Sequence, residues 1–329
     1  MKKKGRRRWQ RGGILISAVI FLISAVKWGE TRVQAGREAD TIAQLVEITQ
    51  QREGTTGQDR QEADGDQKIN QEAGLEIPPE RNQERDHENR DYAKLAAQNP
   101  DFAGWLWIPG TTVDLPVMNS QKEPQKYLRK DFFGRNSAGG SLFFAEGCGP
   151  ESSCILIYGH NMRNGTMFGS LERYQKRDYW EKHRQIVFFN LFDAEIPDTS
   201  GISETLKTST SETPDTSKVP ESSSGQSRYE VFAVFRTTVS ATVSAAATAT
   251  ISDTDEKNRS GEIPYYAYVG NPGREQFEKM IAQIRAHAFY ETGIVPEYGD
   301  QILMLSTCSY HAKNGRFVVV ARKREKKDY

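Results

Sequence analysis

From Phe102 to the C-terminus, short apolar runs alternate with turns rich in Gly, Pro and Asn. Runs of this length and spacing are typical of β-strands that close into a barrel or stack as a sandwich. The sequence therefore predicts a mainly β domain with eight strands. The predicted strands are Gly104–Ile108, Leu115–Asn119, Ser141–Ala145, Cys154–Tyr158, Gln185–Leu191, Arg228–Thr237, Gln301–Thr307 and Arg316–Ala321.

A second pattern predicts helices at the periphery of these strands. The strongest signal is Arg274–Phe289, where apolar residues recur at three- and four-residue spacing and form a stripe that packs on a sheet. The stripe comprises Phe277, Met280, Ile281 and Ile284. Shorter helices are predicted at Asp91–Gln98, Met167–Gln175 and Tyr179–His183.

The N-terminus carries a basic cluster followed by an apolar run, which ends before Lys27 and Trp28. A basic flank orients a membrane segment with its N-terminus in the cytoplasm, and Lys and Trp suit the membrane interface. We predict a basic cytoplasmic segment at residues 1–11 and an uncleaved single-pass signal anchor at 12–28, with the rest of the chain outside the cell. A signal peptide cleaved near Ala35 is the alternative, because the apolar run is short for a membrane span.

Residues 29–90 are predicted to be a polar tether between the anchor and the domain. Leu45 and Val46 belong to a pattern that favours a short amphipathic helix near its start. The stretch Arg52–Arg90, which includes His87, is rich in Gln, Glu, Asp and Arg. Such a composition favours a solvated, largely disordered chain, because it offers little apolar surface to bury.

The domain itself is predicted to span residues 91–325, with a tail at 326–329. Two stretches inside it, 193–226 and 240–262, are of low complexity, rich in Ser, Thr and Ala or charged turn residues. We predict that both are loops that project from strand ends. They are expected to be tolerated surface insertions; the alternative is a segment that is modified on Ser and Thr or binds a partner.

Charge and cysteine content narrow the function class. Lys+Arg and Asp+Glu are equal at 44, and because residues 1–11 hold seven of the basic side chains, the remainder is net acidic by seven. No basic face is extensive enough to suggest nucleic-acid binding.

Cys148 and Cys154 either pair outside the cell or are a loop thiol and a buried thiol, which leaves Cys308 free. A zinc site made of Cys148, Cys154 and His160 has unusual spacing and lacks a fourth ligand, so we expect no metal.

The candidate chemistry centres on Cys308, which follows the apolar run Ile302–Leu305. A polar turn containing Asn-Gly separates it from a second apolar run, which starts at Arg316, and this arrangement predicts a hairpin. In a hairpin the thiol and the guanidinium come to lie side by side. A cation beside a thiol favours the nucleophilic thiolate, and the same guanidinium can stabilise an oxyanion.

A thiolate that attacks an acyl group also needs a proton carrier, and His160 is the best placed of the five His. It follows the apolar strand Cys154–Tyr158 and a Gly, so it is displayed at a strand end, where it can reach the end of another strand. The other four lie in the tether, on two predicted helices and in the turn after the cysteine: His87, His183, His287 and His311. Of these, His311 competes as the proton carrier.

Together these residues resemble the sortases, the cysteine transpeptidases of Gram-positive cell surfaces, and class B sortases in particular. The resemblance rests on Leu305-Ser-Thr-Cys308, on Arg316 at the start of the next strand, and on Tyr158-Gly-His160-Asn-Met. It covers roughly Asp91–Lys323 outside the two insertions and implies a closed eight-stranded sortase-type β-barrel. Further segments that look like class B are Gly104–Val117, Tyr127–Gly134, Gly140–Phe144 and Asn161–Leu171.

The resemblance implies a reaction and its partners. Cys308 attacks the Thr carbonyl of a C-terminal sorting signal on a secreted surface protein, an Asn-Pro-x-Thr-x or related sequence. His160 protonates the leaving amine, and Arg316 stabilises the oxyanion. An amine of a cell-wall precursor or cross-bridge then resolves the thioester, and no metal or organic cofactor is implied.

The resemblance also implies a peptide groove. The residues assigned to it are Asn119, Tyr268, Val269, Ser306 and Thr307. The chain departs from class B at Ser309, where relatives often carry an acidic residue, so a carboxylate at that position is absent.

Three alternatives remain open at this stage. A pilin-polymerising sortase would use a Lys of another subunit as its acceptor. A thiol hydrolase would let water resolve the thioester. A catalytically silent, membrane-tethered scaffold would fit the Ser/Thr-rich insertions, although the joint presence of Cys308, His160 and Arg316 argues against it.

Overall fold

The computed structural model describes residues 36–50, 80–120, 122–190, 225–239 and 263–324. Within them, eight strands close a barrel in the order β1–β2–β3–β4–β7–β8–β6–β5, and β5 pairs back onto β1. The predicted eight-stranded barrel is confirmed. The strands are β1 (Phe102–Trp107), β2 (Asp114–Met118), β3 (Leu142–Phe144), β4 (Cys154–Tyr158), β5 (Gln185–Asn190), β6 (Gly225–Thr238), β7 (Ile302–Cys308) and β8 (Gly315–Lys323).

One parallel pairing determines where the candidate site lies. β4 runs parallel to β7, with Tyr158 paired to Ser306, so the carboxyl ends of both strands reach the same rim of the barrel. β8 is antiparallel to β7 and therefore begins at that rim. The end of β4 thus meets the two sides of the β7–β8 hairpin, which is distant from it in sequence, at one edge.

Strand β1 shows why some strands are apolar throughout rather than alternating. All six of its residues are buried. Ala103 and Leu106 belong to the barrel core, whereas Phe102, Trp105 and Trp107 belong to a second apolar cluster under the N-terminal helices. A strand that is covered on both faces needs apolar side chains on both.

In the described residues, five helices surround the barrel. They are α1 (residues 36–50), α2 (Glu80–Glu88), α3 (Ala93–Gln98), α4 (Arg177–Lys182) and α5 (Arg274–His287). The predicted stripe of α5 is buried as expected. The helix predicted at Met167–Gln175 is wrong in its first half, because Met167 has a positive φ of 52° and only a 3-10 turn forms, at Leu171–Gln175. The part of the chain that the structure describes also contains 3-10 turns at Lys126–Leu128 and Tyr265–Tyr268.

The end of the predicted tether is also wrong. Helix α2 packs against the barrel, and His87 is 1% exposed instead of solvated. The His87 ring stacks on Phe189 with 5.0 Å between centroids and lies 4.7 Å from Trp107. The charged composition of the segment hid this contact, because only one side of the helix faces the barrel. Helix α1 follows the predicted amphipathic pattern, and Leu45 on it is fully buried.

Several predicted segments lie outside the described residues: the anchor at 12–28, most of the tether, the stretch 240–262 and the tail at 326–329. The described helices include none with the length and apolar character that a membrane crossing requires. The insertion predicted at 193–226 ends earlier than expected, because Gly225 and Gln226 already belong to β6 and pair with Asn190 and Phe189.

Candidate active site

Cys308 and Arg316 stand opposite each other where β7 ends and β8 begins. The thiol is exposed, and Arg316 Nη1 donates to Cys308 Sγ at 3.6 Å. The same Nη1 donates to the carbonyl of Gly315 at 3.1 Å, which fixes the guanidinium beside the sulfur. Among the described residues, no carboxylate forms an ion pair with Arg316. Its charge is therefore directed at the thiol and at any group bound to it.

His160 lies at the same rim, two residues beyond the Tyr158–Ser306 pair, just as Cys308 does. Two hydrogen bonds join the segment that follows β4 to strand β7. Gly159 N donates to Ser306 O at 3.2 Å, and Thr307 Oγ1 donates to Gly159 O at 2.8 Å. The parallel register therefore places the histidine and the cysteine at equivalent positions on adjacent strands.

The His160 ring is hydrogen-bonded to the backbone of the turn Lys126–Leu128. Its Nε2 is hydrogen-bonded to the carbonyl of Leu128 at 2.9 Å, and no hydrogen bond joins the ring to Cys308 in the part of the chain that the structure describes. Burial lowers the pKa of His160, the hydrogen bond to Leu128 raises it, and the nearby charge of Arg129 lowers it further. The net direction is downward, which favours the neutral imidazole.

Asn161, directly after the histidine, makes a second connection. Its Nδ2 donates to the carbonyl of Cys308 at 2.7 Å. The loop that carries His160 is thus attached to the backbone of the nucleophile itself. The sequence contained this residue in the Gly-His-Asn segment, but the contact depends on the pairing of β4 with β7, which no local pattern reveals.

Two tyrosines lie close to Arg316. Burial raises the pKa of Tyr158 to about 12, and the charge of Arg316 opposes that rise. The Tyr265 hydroxyl is bonded to Ser306 Oγ at 2.8 Å, and burial raises its pKa as well. Both phenols are therefore neutral, and neither neutralises the guanidinium.

The residues assigned to a peptide groove have other surroundings. Ser306 and Thr307 are 0% and 2% exposed, and their hydroxyls are bonded inside the framework. Tyr268 is 3% exposed and donates its hydroxyl to Gln283 on α5 at 3.1 Å. Val269 packs partly buried against the barrel core, and Asn119 donates its backbone N–H to Asp101 O. In this structure Ser306, Thr307 and Tyr268 support the barrel rather than offer a peptide surface.

Three other histidines have surroundings that differ from those of His160. His183, predicted to lie on a helix, directly follows the last residue of α4; its Nδ1 is bonded to the carbonyl of Pro109 at 2.9 Å, and its ring packs on Tyr179. His287 is exposed on α5. His311 is exposed in the β7–β8 turn, where its ring lies over Gly315.

Cys148 and Cys154 are free thiols, and both are buried. Burial raises the pKa of Cys148 to about 11 and that of Cys154 to about 12, so neither competes with Cys308 as a thiolate. Cys148 lies in the loop between β3 and β4, as the sequence suggested, and its side chain is buried there, whereas Cys154 is buried in β4. The described residues include no group of three or more His, Cys, Asp or Glu that could hold a metal ion.

The side chain of Ser309 contacts the carboxylate of Glu172, a residue that the sequence did not connect with the site. Ser309 is 4% exposed, and its Oγ donates to Glu172 Oε1 at 2.7 Å. Position 309 itself carries no acid, yet a carboxylate from the turn Leu171–Gln175 contacts it. No signal in the sequence pointed to Glu172, because the contact spans 137 positions.

Comparison with known proteins shows which family this chain is similar to. The Sortase domain family matches residues 106–324. A sortase B of Listeria monocytogenes is 26% identical over 238 residues, which cover 70% of this chain and 72% of that protein. A sortase B of Staphylococcus aureus is 29% identical over 137 residues, which cover 41% of this chain and 54% of that one.

Among solved structures, Clostridium perfringens sortase B is similar in fold, with a TM-score of 0.51 and 23% identity. The match covers 71% of this chain and 100% of that one.

Proposed function

Because this chain belongs to the sortase family and to its class B, we propose that it cleaves a C-terminal sorting signal of secreted surface proteins and joins the new carboxyl end to a cell-wall amine. It is a sortase-type cysteine transpeptidase.

One observation carries the assignment of residues. The Cys308 sulfur and the Arg316 guanidinium are 3.6 Å apart, at the rim where the segment bearing His160 also ends. A nucleophile, a fixed cation and a proton carrier within one rim are the groups that acyl transfer through a thioester needs. His311 is the alternative proton carrier, since it lies in the same turn as Cys308.

The first half-reaction forms the acyl-enzyme. The Cys308 thiolate attacks the carbonyl carbon of the scissile peptide bond, which in an Asn-Pro-x-Thr-x type of signal belongs to the Thr. Arg316 and nearby backbone N–H groups stabilise the tetrahedral oxyanion. As the C–N bond breaks, imidazolium His160 gives its proton to the departing amine, and a thioester remains.

The second half-reaction releases the product. A cell-wall amine attacks the thioester, neutral His160 accepts the proton of that amine, and the C–S bond breaks to return the thiolate. The His160 ring is hydrogen-bonded to Leu128 O, and we propose that this bond opens when a peptide binds, which frees the ring to face the thiol. Catalytic hydrogen bonds are often long or misaligned before substrate is present.

The location of the domain follows from the N-terminal pattern. Residues 1–11 are basic and residues 12–28 are apolar, and we propose that this segment anchors the chain with its N-terminus in the cytoplasm. The catalytic domain then works outside the cell, where secreted surface proteins and cell-wall amines are available.

The test uses the full-length chain, a panel of fluorogenic sorting-type peptides and a short glycine peptide as the amine acceptor. Cys308→Ala, His160→Ala and Arg316→Ala are compared with the unchanged chain, and His311→Ala and the exposed His287→Ala serve as histidine controls. We expect cleavage to disappear in the first three and to persist in the two controls. Mass spectrometry should find the amine-linked product.

The other outcomes separate the alternatives. Cleavage that persists in Cys308→Ala contradicts the mechanism. Loss in His311→Ala but not in His160→Ala moves the proton carrier to the turn. Hydrolysed product alone, with the amine present, identifies a thiol hydrolase. A pilin Lys that outcompetes the glycine amine identifies a pilin-polymerising enzyme, and the absence of any cleavage together with an unreactive Cys308 favours a scaffold.

A further inference from the structure

The chain segment directly after the nucleophile is held by a partly buried hydrogen bond. Ser309 follows Cys308, is 4% exposed, and donates its hydroxyl to Glu172 Oε1 at 2.7 Å. Its backbone N–H also donates to the carbonyl of Gly315 at 2.9 Å, and Gly315 directly precedes Arg316. Ser309 therefore sits between the two residues whose separation the proposed chemistry depends on.

Glu172 belongs to the chain segment that follows His160. It lies in the first turn of Leu171–Gln175, which follows the loop that begins at His160. That loop is closed by a hydrogen bond from Phe168 N to His160 O at 3.0 Å. The Glu172–Ser309 bond thus joins the segment that carries the histidine to the turn that carries the cysteine.

A second pair of bonds joins the same two segments. Asn161 Nδ2 donates to Cys308 O at 2.7 Å, and the Tyr310 hydroxyl donates to Asn161 O at 3.3 Å. These contacts are exposed, whereas the Glu172–Ser309 bond is partly buried. The same Glu172 oxygen also lies 3.9 Å from Arg236 Nη2 of the neighbouring strand β6. Glu172 is thus the member of this set that ties the site to the barrel wall.

We propose that Glu172 is a positioning residue for Cys308, which acts through Ser309 and sets the geometry of the Cys308–Arg316 pair. The inference rests on the proposed function in that it assigns the nucleophile to Cys308. Glu172 touches neither the thiol nor the guanidinium, so its contribution is to the alignment of the reacting groups. Misplacement of such groups by about 1 Å can cost about 100-fold in rate.

The Ala variants remove the bond in two ways. Glu172→Ala leaves the buried Ser309 hydroxyl without its acceptor, and Ser309→Ala removes the donor. We expect each to lower kcat about 10- to 100-fold and to leave KM within about 2-fold, because ground-state binding of the peptide is not the interaction that is lost. The double variant should be no slower than the slower single variant, because both changes remove one interaction.

The Gln variant separates positioning from charge. Glu172→Gln keeps an amide oxygen that can accept from Ser309, so it should retain kcat within about 3-fold of the unchanged chain. Glu181→Ala is the matched control, because Glu181 is an exposed carboxylate on α4 that pairs with Arg177. It should leave kcat unchanged.

A second readout does not depend on peptide cleavage. The rate at which iodoacetamide alkylates Cys308 in the full-length chain should fall in Glu172→Ala and Ser309→Ala and stay unchanged in Glu172→Gln and Glu181→Ala. Cys308→Ala supplies the blank for the two buried thiols. If even the unchanged chain cleaves no peptide, the proposed function fails, while these alkylation rates still decide the role of Glu172.

Three results would overturn the inference: a Glu172→Ala variant with unchanged kcat and alkylation rate, a Glu172→Gln variant as slow as Glu172→Ala, or a loss that appears in KM alone. If Glu172→Ala does not fold by circular dichroism, Glu172→Gln and Ser309→Ala carry the test. In that case Ser309→Ala with parental kcat and alkylation rate contradicts the proposal.

Discussion

Arg316 lies directly across from Cys308 in the antiparallel pair β7–β8, and its Nη1 is 3.6 Å from the thiol sulfur. The same nitrogen is bonded to the carbonyl of Gly315. One end of the guanidinium is thus fixed by its own strand and lies beside the nucleophile. A planar fork can hold a backbone carbonyl and face a developing oxyanion at the same time, whereas an ammonium cannot reproduce that geometry.

The first prediction concerns this fork. Arg316→Lys keeps the charge but loses the planar donors, so we expect kcat/KM for sorting-type peptides to fall about 100- to 1,000-fold, the cost of losing one oxyanion donor. Arg322→Lys, at the far end of β8 near Asp300, is the control and should be close to parental. Steady-state kinetics on the same peptide measures both. A Lys variant with parental kcat/KM would show that charge alone suffices.

The second prediction concerns the charge near His160. Burial and the cation of Arg129 lower the pKa of His160. Arg129→Gln removes the second cause, so the pKa rises and the imidazolium persists to higher pH. Since imidazolium donates the proton to the leaving amine, the alkaline limb of the kcat/KM profile should move to higher pH. NMR titration of His160 should move in the same direction.

Arg135→Gln is the control for this shift. Arg135 lies in the same loop but pairs with Asp131 and does not contribute to the pKa of His160. Its pH profile should match that of the unchanged chain. An Arg129→Gln profile that stays in place, or moves to lower pH, would argue against His160 as the group that titrates in the reaction.

The third prediction concerns the buried hydroxyl pair under the site. Tyr265 and Ser306 are both fully buried, and their hydroxyls are 2.8 Å apart. Tyr265→Phe leaves Ser306 without this partner, so the free energy of unfolding should fall by about 1–3 kcal/mol. Adding Ser306→Ala should recover most of the loss, because neither polar group is then left unpaired. Denaturant unfolding measures each variant.

Tyr298→Phe is the matched control, since Tyr298 is 44% exposed and its loss of a hydroxyl should leave the unfolding free energy unchanged. If the double variant is less stable than Tyr265→Phe alone, the hydroxyls do not act as a pair.

The sequence was sufficient to predict the strands, the display of the candidate residues at a rim of the barrel, and the three catalytic candidates themselves. Strand ends are read from local alternation and turn residues, and a Cys or His at such an end is displayed at an edge wherever the strand lies. For this reason the Cys308–Arg316 hairpin could be predicted from one contiguous stretch. The closed barrel came from the resemblance to sortases, and the parallel pairing of β4 with β7 was not predicted at all and is seen only in the structure.

The contacts that the sequence missed are long-range and involve charged residues. Glu172 reaches Ser309 across 137 positions, and its surroundings in sequence are those of an ordinary surface turn. His87 lies in a run of charges, so its burial depends on β1 and β5 behind it. Composition gives only the average polarity of a segment. The Glu172–Ser309 contact and the burial of His87 each depend on a single side chain on one face of its segment.

The last prediction concerns the stability contributed by His87. Its Nδ1 is 3.1 Å from Arg90 Nη1, which can only donate, so Nδ1 accepts and the ring is neutral. Burial lowers the pKa of His87 to about 4; Asp114 opposes the shift and Arg90 adds to it. In the unfolded chain the pKa is near the ordinary 6.5, so the unfolded state binds the proton first.

Stability should therefore fall as the pH drops through 6.5 toward 4, and level off below 4, with a total loss of about 3 kcal/mol from this group. Urea unfolding of the full-length chain at several pH values between 7 and 4 measures that loss. His87→Gln should flatten this part of the curve, whereas His287→Gln, an exposed position on α5, should not change it. If the dependence of stability on pH is unaltered in His87→Gln, other groups cause the acid sensitivity. The reason is that Gln at position 87 can neither bind nor release a proton between pH 7 and pH 4.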